Sequence, residues 1–232
     1  VFYYNPSTKE FKEYRPSTIA GLPPGAWTVA ANHDALYIGH KFDGFSVVDT
    51  ATTTARTYTI ADGLPGNTVY SIHIDKNGNA WLGTDRGAAL YNPSTKKVTP
   101  IIHRENDKTS LGAGRVWDIK EVGDDELWFA TSQDGVSILD TRKYAFEDLG
   151  KARFRNIRSN NGWGGTSSIN ARCILQDRYG NVWVGNYLSG VDMISHIEPL
   201  INKANTRRLG RSNQIWSCTT TPDGTYWLGG DD

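Results

Sequence analysis

Aromatic and arginine side chains recur at one position of a repeated pattern, and their chemistry suits the binding of sugars. Flat rings stack on the apolar faces of sugars, and a guanidinium group donates paired hydrogen bonds to hydroxyl or carboxylate groups. The residues at this position are Ala26, Tyr70, Trp117, Arg172 and Trp216. The same side chains would also fill space between neighbouring inner strands, and the sequence leaves both interpretations open.

Further polar candidates lie in loops on the same predicted face. Those between second and third strands of a unit are His40, Asp85, Arg86, Gln133, Asp134, Asn186 and Tyr187, and those between a fourth and a first strand are Arg104, Asp107 and Arg115. A long interval, 151–165, places four cations close to Trp163. Such a segment is either an ordinary basic surface loop or a contact for an anionic ligand. We predict ligand contacts by Tyr70, Trp117, Arg172, Trp216, Arg115, Trp163, Arg86 and Tyr187.

Carboxylates are the natural candidates for catalysis, because a glycoside hydrolase needs a pair of them at a fixed separation. Asp75, Asp118, Asp125 and Glu126 are available. Asp75 and Asp125 lie at predicted turns, where carboxylates commonly accept hydrogen bonds from backbone amides. The sequence therefore predicts structural carboxylates and no catalytic residue on this chain, with a lyase or hydrolase as the alternative.

The remaining reactive residue types give no cofactor or metal site. The five histidines are scattered without the paired spacing of zinc ligands, and no Gly-x-Ser-x-Gly or phosphate-binding glycine loop occurs. Cys173 lies ten residues before the aromatic residue of its repeat, and Cys218 lies nine before its own. Adjacent strand positions point to opposite faces, so no disulfide is expected. We predict neither metal nor cofactor.

These candidates are placed by a repeated aromatic, aliphatic, glycine pattern. Its copies begin at Tyr37, Trp81, Trp128, Trp183 and Trp227, which are 44 to 55 residues apart. That period is near that of β-propeller blades. Large rings in this position bury most area between neighbouring blades, so we expect the five aromatic residues to belong to the core.

The second copy shows the strands of one unit. Segments 68–75, 80–84, 88–91 and 97–101 have strand-like patterns, and Asn77-Gly78 is typical of a hairpin turn. Four whole antiparallel blades are predicted near 26–60, 68–101, 115–149 and 170–202. The first residues align with a third and fourth strand and the last with a first and second. The two ends could thus complete one blade and close a ring, or result from two arbitrary cuts one period apart.

Composition restricts the partners. The 25 basic and 25 acidic residues cancel, so no net charge draws the chain to nucleic acid or to an anionic membrane. The chain has no apolar run of membrane-spanning length and no signal-peptide pattern at its start, which predicts a soluble chain. Because it starts and stops within a repeat, we expect it to be a fragment of a larger protein, with 1–232 forming one all-β propeller or partial propeller.

The segment 62–72 followed by 75–87 closely resembles the two-component regulator propeller repeat. Weaker copies begin near residues 21, 110, 167 and 212, so the resemblance covers almost the whole chain. In that family, the repeats build the extracytoplasmic sensor of bacterial hybrid two-component systems, many of which respond to oligosaccharides. Propellers of the family usually have more blades than five, and nothing here resembles their kinase, membrane span or immunoglobulin-like module.

The resemblance implies a periplasmic, ligand-sensing propeller of an inner-membrane protein whose kinase output lies outside this chain. An oligosaccharide or other small ligand is the expected partner, together with the remaining segments of the same protein and a second copy in a homodimer. Nucleic acid is not expected. A polysaccharide lyase or hydrolase and a protein-docking propeller remain the alternatives.

Overall fold

The chain forms antiparallel β-sheets in a computed structural model that describes residues 1–32, 35–144, 146–159, 165–194, 201–203, 214–221 and 225–231. Each whole blade is a meander of four strands, hydrogen-bonded in chain order. Blade A comprises β3 (Ala26–Ala31), β4 (Ala35–His40), β5 (Phe45–Asp49) and β6 (Thr54–Tyr58); blade B comprises β7 (Val69–Ile74), β8 (Ala80–Thr84), β9 (Gly87–Asn92) and β10 (Lys97–Ile101).

Blade C comprises β11 (Val116–Val122), β12 (Glu126–Thr131), β13 (Gly135–Asp140) and β14 (Arg155–Ile157); blade D comprises β15 (Ala171–Gln176), β16 (Val182–Asn186), β17 (Gly190–Ile194) and β18 (Ile201–Lys203). The N-terminal hairpin is β1 (Phe2–Asn5) with β2 (Glu10–Glu13), and the C-terminal hairpin is β19 (Gln214–Thr220) with β20 (Tyr226–Asp231). Short 3-10 helices span Ile60–Asp62, Thr141–Lys143 and Phe146–Lys151. The predicted all-β propeller architecture is confirmed.

The first strands of the sheets lie side by side in chain order, from β3 through β7, β11 and β15 to β19. They are therefore the innermost strands, and their sheets radiate outward as blades. The two hairpins form separate two-stranded sheets, so strand pairing between them is not seen in the described part of the chain.

The core lies between blades. One apolar cluster joins blades A and B, a second joins B and C, and a third joins C and D. Trp81 is 4% exposed and packs edge to face on Phe129 of the next blade, with ring centroids 6.1 Å apart. Tyr37 and Trp128 are also buried, as predicted.

Two of the five repeated aromatic residues are less buried than predicted. Trp183 is only half-buried, and Trp227 of the C-terminal hairpin is 60% exposed. In blade B, the equivalent ring of Trp81 is covered by the following blade. Among the described residues, the main contacts of the C-terminal hairpin are with blade D, which precedes it.

The fourth strand of blade C also differs from the prediction, which ended this blade at residue 149. Asp140 accepts a hydrogen bond from the backbone of Arg142, and two 3-10 helices occupy the expected strand positions. Leu149, Ala152 and Phe154 instead fill the core between blades B and C. The strand follows at Arg155–Ile157, within the segment predicted to be a basic loop.

Candidate functional site

Each innermost strand carries a β-bulge near its first residue. The strand register shifts between Ala26 and Thr28, Val69 and Ser71, Val116 and Asp118, Ala171 and Cys173, and Ile215 and Ser217. A bulge leaves one residue unpaired and redirects its side chain. The bulged residues are Trp27, Tyr70, Trp117, Arg172 and Trp216.

The five bulged side chains form a continuous row, which we call the inner arc. The rings of Trp27 and Tyr70 are 5.8 Å apart, and those of Tyr70 and Trp117 are 4.4 Å apart. The Arg172 guanidinium lies 3.8 Å from the centre of the Trp117 ring and 4.6 Å from that of Trp216. The structure thus brings together four of the predicted ligand contacts, which come from four different sheets.

Trp27 was missed by the sequence analysis, which placed Ala26 at the first position. In blade A, the repeated aromatic Tyr37 pairs with Ala30, seven residues before it, whereas in blade B Trp81 pairs with His73, eight residues before it. The first hairpin is one residue shorter, so a fixed offset from the aromatic residue misses the bulge by one. The sequence does contain an aromatic residue, Trp27, directly after the expected position.

Two predicted loop residues extend the inner arc. Tyr187 follows β16, and its backbone N–H donates to the Asn170 carbonyl at 2.8 Å. Its ring lies 4.7 Å from the Arg172 guanidinium and 6.1 Å from the Trp216 ring. The Arg115 guanidinium lies 5.6 Å from the Trp117 ring and is exposed to solvent.

Arg172 is the centre of the arrangement. The residue is only 8% exposed, and the rings of Trp117, Tyr187 and Trp216 surround its guanidinium. Its buried Nε and Nη1 atoms have no hydrogen-bond partner among the described residues, and neither has the buried Nε1 of Trp117. Burial lowers the pKa of Arg172 from its ordinary value, and the nearby charge of Arg115 lowers it further. The site therefore combines apolar ring faces with unsatisfied hydrogen-bond donors.

The structure adds neither of the other two predicted contacts to this arrangement. Arg86 is exposed in the turn between β8 and β9, where its charged neighbour is Asp85 at 3.9 Å. Trp163 lies outside the described residues.

Most of the polar loop candidates stabilise the scaffold. Asp85 accepts from the Thr68 N–H at 3.1 Å, and Asp134 accepts from the Ala113 N–H at 3.1 Å. Asn186 donates to Asp192 at 2.9 Å. Further internal pairs are those of His40 with Ser46 and of Arg104 with Asp107, whereas Gln133 is exposed in its turn.

Three of the candidate catalytic carboxylates also make hydrogen bonds or ion pairs within the fold. Asp75 accepts hydrogen bonds from the Asn77 and Asn79 backbone and from the Trp81 indole at 2.9 Å each. Asp125 is 3.3 Å from Arg142. Glu126 accepts from the Trp128 indole at 2.9 Å. A cleft of about 190 Å³ beside Asp75 and Glu121 lies between blades B and C at the opposite end of the inner strands. No cluster of metal-ligating side chains occurs in the described part of the chain.

Cys173 and Cys218 lie on neighbouring innermost strands, β15 and β19. Both are free thiols, and the neighbouring Cys218 thiol, together with burial, raises the pKa of Cys173. In a propeller, one face of each blade packs against the opposite face of the next blade. Adjacent strand positions on successive blades are therefore brought together rather than kept apart.

Comparison with known proteins identifies the repeats. The family model described as "two component regulator propeller" matches residues 63–86 and 164–187. The chain carries two-component regulator propeller repeats. These two matched repeats contain four of the predicted site residues: Tyr70, Arg86, Arg172 and Tyr187. No curated protein matches the chain significantly.

Solved structures similar to this propeller include two extracellular domains from B. thetaiotaomicron. That of the putative hybrid two component system BT3049 is 26% identical, with a TM-score of 0.68 over 99% of this chain and 34% of that one. That of the putative one component system BT4673 is 19% identical, with a TM-score of 0.72 over 99% and 29%. PorZ of Porphyromonas gingivalis is 14% identical, with a TM-score of 0.61 over 88% and 31%.

The propeller thus spans about a third of the length of these solved chains. In the described residues, no helix is long and apolar enough to cross a membrane.

Proposed function

We propose that this propeller is the ligand-sensing part of an extracytoplasmic sensor and that it binds an oligosaccharide at the inner arc. The inner arc carries the proposal, because four blades and the C-terminal hairpin each contribute one side chain to a shared surface. These side chains are Trp27, Tyr70, Trp117, Arg172 and Trp216. Surfaces that several repeats share, with aromatic faces and a few polar groups, are common ligand sites of repeat folds.

The sensor role rests on family and similarity. The repeats are those of two-component regulators, and BT3049, which is 26% identical over 99% of this chain, is the extracellular domain of a putative hybrid two component system. We infer a periplasmic location and a parent protein that carries a membrane span and histidine kinase output beyond this chain. The remaining segments of that protein, and a second copy of it, are the proposed partners.

A non-catalytic role is supported by the carboxylates. Asp75 and Glu126 hold tryptophan indoles in place, and Asp125 is paired with Arg142. A polysaccharide lyase or hydrolase would need free acid and base groups near the bound sugar. The inner arc offers arginine and aromatic side chains instead.

The proposal is tested by glycan-array screening of the whole chain, followed by calorimetry on the glycans that bind. Trp117→Ala and Trp216→Ala are expected to weaken binding by about 5-fold to 100-fold, since each removes a stacking surface. Tyr179→Ala is the matched control, because this exposed ring lies in the turn between β15 and β16, away from the arc. Equal affinity in all three variants would contradict the location of the site.

The alternatives give different outcomes in the same experiment. Release of shortened or unsaturated sugar products would indicate a hydrolase or lyase. Absence of glycan binding would favour a propeller that docks another protein.

A further inference from the structure

Two guanidinium groups lie at the inner arc without a carboxylate partner. The ion pairs among the described residues involve neither Arg115 nor Arg172. The charges of the two residues repel each other, which contributes to the lowered pKa of Arg172. A buried charge normally has a partner of opposite sign. Nothing in the described part of the chain supplies one here.

The aromatic rings satisfy only part of Arg172. Rings attract the flat faces of a guanidinium group, whereas its N–H bonds point outward in its plane and require acceptors. The Nε and Nη1 atoms of Arg172 are buried without such an acceptor, and the Trp117 indole nitrogen is a third unsatisfied donor beside them.

Arg104 has a structural role in the same chain, and its hydrogen bonds differ from those of Arg172. Its Nε and Nη2 donate to Asp107 at 3.0 and 2.8 Å. Its Nη1 donates to the Gly150 carbonyl at 2.9 Å and its Nη2 also to the Ala152 carbonyl at 3.0 Å. Every guanidinium nitrogen of Arg104 thus has an acceptor within the fold, whereas Nε and Nη1 of Arg172 have none.

We propose that the ligand of the inner arc carries an anionic group, a carboxylate or a sulfate ester, which binds to Arg172 with support from Arg115 and the Trp117 indole. This inference rests on the proposed binding function and specifies its ligand class. Carboxylate and sulfate oxygens match the planar donors of arginine. The flanking rings of Tyr187 and Trp216 then cover the apolar faces of the attached sugar.

The test measures binding of the whole chain to uronic-acid oligosaccharides and sulfated oligosaccharides. Each is paired with its neutral counterpart, carboxyl-reduced or desulfated. The acidic member of one pair is expected to bind at least about 10-fold more tightly than its neutral form, because charge-assisted hydrogen bonds are strong. The pair that shows the difference identifies the anionic group.

Arg115→Gln is the first variant, since Arg115 is exposed and its replacement leaves the core intact. This variant is expected to weaken binding of the acidic glycan several-fold and to reduce the salt dependence of binding. Arg172→Lys keeps the charge but loses the planar donors, and a larger loss is expected. Arg178→Gln is the control, because Arg178 also lies over an aromatic ring, that of Tyr179 at 4.8 Å, but away from the arc.

Equal affinity for acidic and neutral forms would overturn the anionic ligand while leaving the proposed binding function intact. Loss of binding to every glycan in the series would overturn both.

A second, independent inference concerns the thiols of Cys173 and Cys218. Cys173 lies opposite Gly185 in blade D, and Cys218 lies opposite Leu228 in the C-terminal hairpin. Their strands β15 and β19 are neighbours. The equivalent positions one blade earlier are also in contact, since Asp118 accepts from the Ile174 N–H at 2.9 Å. The geometry points to a disulfide that links the C-terminal hairpin to blade D under oxidising conditions.

The reaction is a thiol–disulfide exchange with a small disulfide such as oxidised glutathione. The less buried Cys218 loses its proton and attacks one sulfur of glutathione disulfide, releasing one glutathione thiolate. The Cys173 sulfur, deprotonated in turn, then attacks Cys218 in the mixed disulfide and releases the second glutathione. Two protein thiols are oxidised, and one glutathione disulfide is reduced.

The whole chain, treated with oxidised glutathione at mildly alkaline pH, is expected to lose two hydrogen atoms in mass. Trypsin digestion without reductant should then yield peptide 173–178 linked to peptide 212–232. Cys173→Ser and Cys218→Ser are the controls, in which the linked peptide must be absent. A stable glutathione adduct on Cys218, or unreacted thiols after the chain is unfolded and refolded with the oxidant, would overturn the inference.

Discussion

The Asp118 carboxylate, on the innermost strand of blade C, accepts a hydrogen bond of 2.9 Å from the backbone N–H of Ile174 on the innermost strand of blade D. Its other oxygen accepts from the Ile119 N–H at 2.9 Å. One side chain therefore joins two blades near the axis of the fold. Burial raises the pKa of Asp118 to about 6, although Lys120 and the two N–H donors oppose this shift.

The raised pKa predicts that Asp118 makes the fold less stable as pH rises. In the unfolded chain, this carboxyl has its ordinary pKa of 3.8, whereas the folded chain retains the proton up to about pH 6. Its stabilising contribution is complete below pH 4 and is lost between about pH 4 and pH 6. About two pKa units correspond to a contribution of roughly 3 kcal/mol at most.

Asp118→Asn removes this titration. Urea unfolding at pH 4.5 and pH 7 should show that the variant gains stability relative to the parent as pH rises. Glu105→Gln at an exposed position serves as the control for the loss of one charge. A constant difference between the Asp118 variant and the parent at both pH values would contradict the raised pKa.

The repeated aromatic residues made the blades predictable, because strand length, turn chemistry and burial all follow one period. The strands of blade B were expected at 68–75, 80–84, 88–91 and 97–101, and each bound lies within one residue of the expected one. Blade C departs where its sequence departs from the period. There, burial of Leu149, Ala152 and Phe154 determines the path of the chain more strongly than strand propensity does.

The site was predictable only in part, since it depends on how blades meet. Counting from the aromatic residues found Tyr70, Trp117, Arg172 and Trp216, but a hairpin one residue shorter concealed Trp27. The closeness of Cys173 and Cys218 was missed for a related reason, because alternation along one strand does not tell which face a neighbouring blade covers. Distances between blades depend on tertiary packing, which a local sequence pattern does not specify.

The repeated turn before the aromatic strand predicts a structural role for Asp75. Asp75→Ala leaves the backbone of Asn77 and Asn79 and the Trp81 indole without their acceptor, so a loss of about 2 to 4 kcal/mol is expected. Chemical denaturation measures the change. Asp124→Ala, at an exposed position of the corresponding turn in blade C, should change stability by less than about 0.5 kcal/mol.

A matched pair of glycines separates backbone strain from steric contact. Gly87 has a φ of 121°, and a Cβ there would lie 2.7 Å from the Ile101 carbonyl oxygen of a neighbouring strand. Gly78 has a φ of 80° and open space around its Cβ position. Gly87→Ala should therefore destabilise blade B by roughly 3 kcal/mol or more, and Gly78→Ala by about 1 kcal/mol. Equal shifts in melting temperature would show that the neighbouring strand accommodates the methyl group.

Trp27 provides a test of the extent of the inner arc. Its ring contacts Tyr70 at 5.8 Å and remains 53% exposed, so a ligand that spans several blades can stack on it. Trp27→Ala should weaken binding of such a ligand by about 3-fold to 10-fold, less than the loss expected for Trp117→Ala, because the Trp27 ring lies at the end of the row. Phe42→Ala is the matched control, since Phe42 is 68% exposed and shares the Lys41 neighbour with Trp27 but lies outside the arc. If the two variants bind alike in calorimetry while Trp117→Ala is impaired, the ligand occupies only the part of the arc between blades C and D.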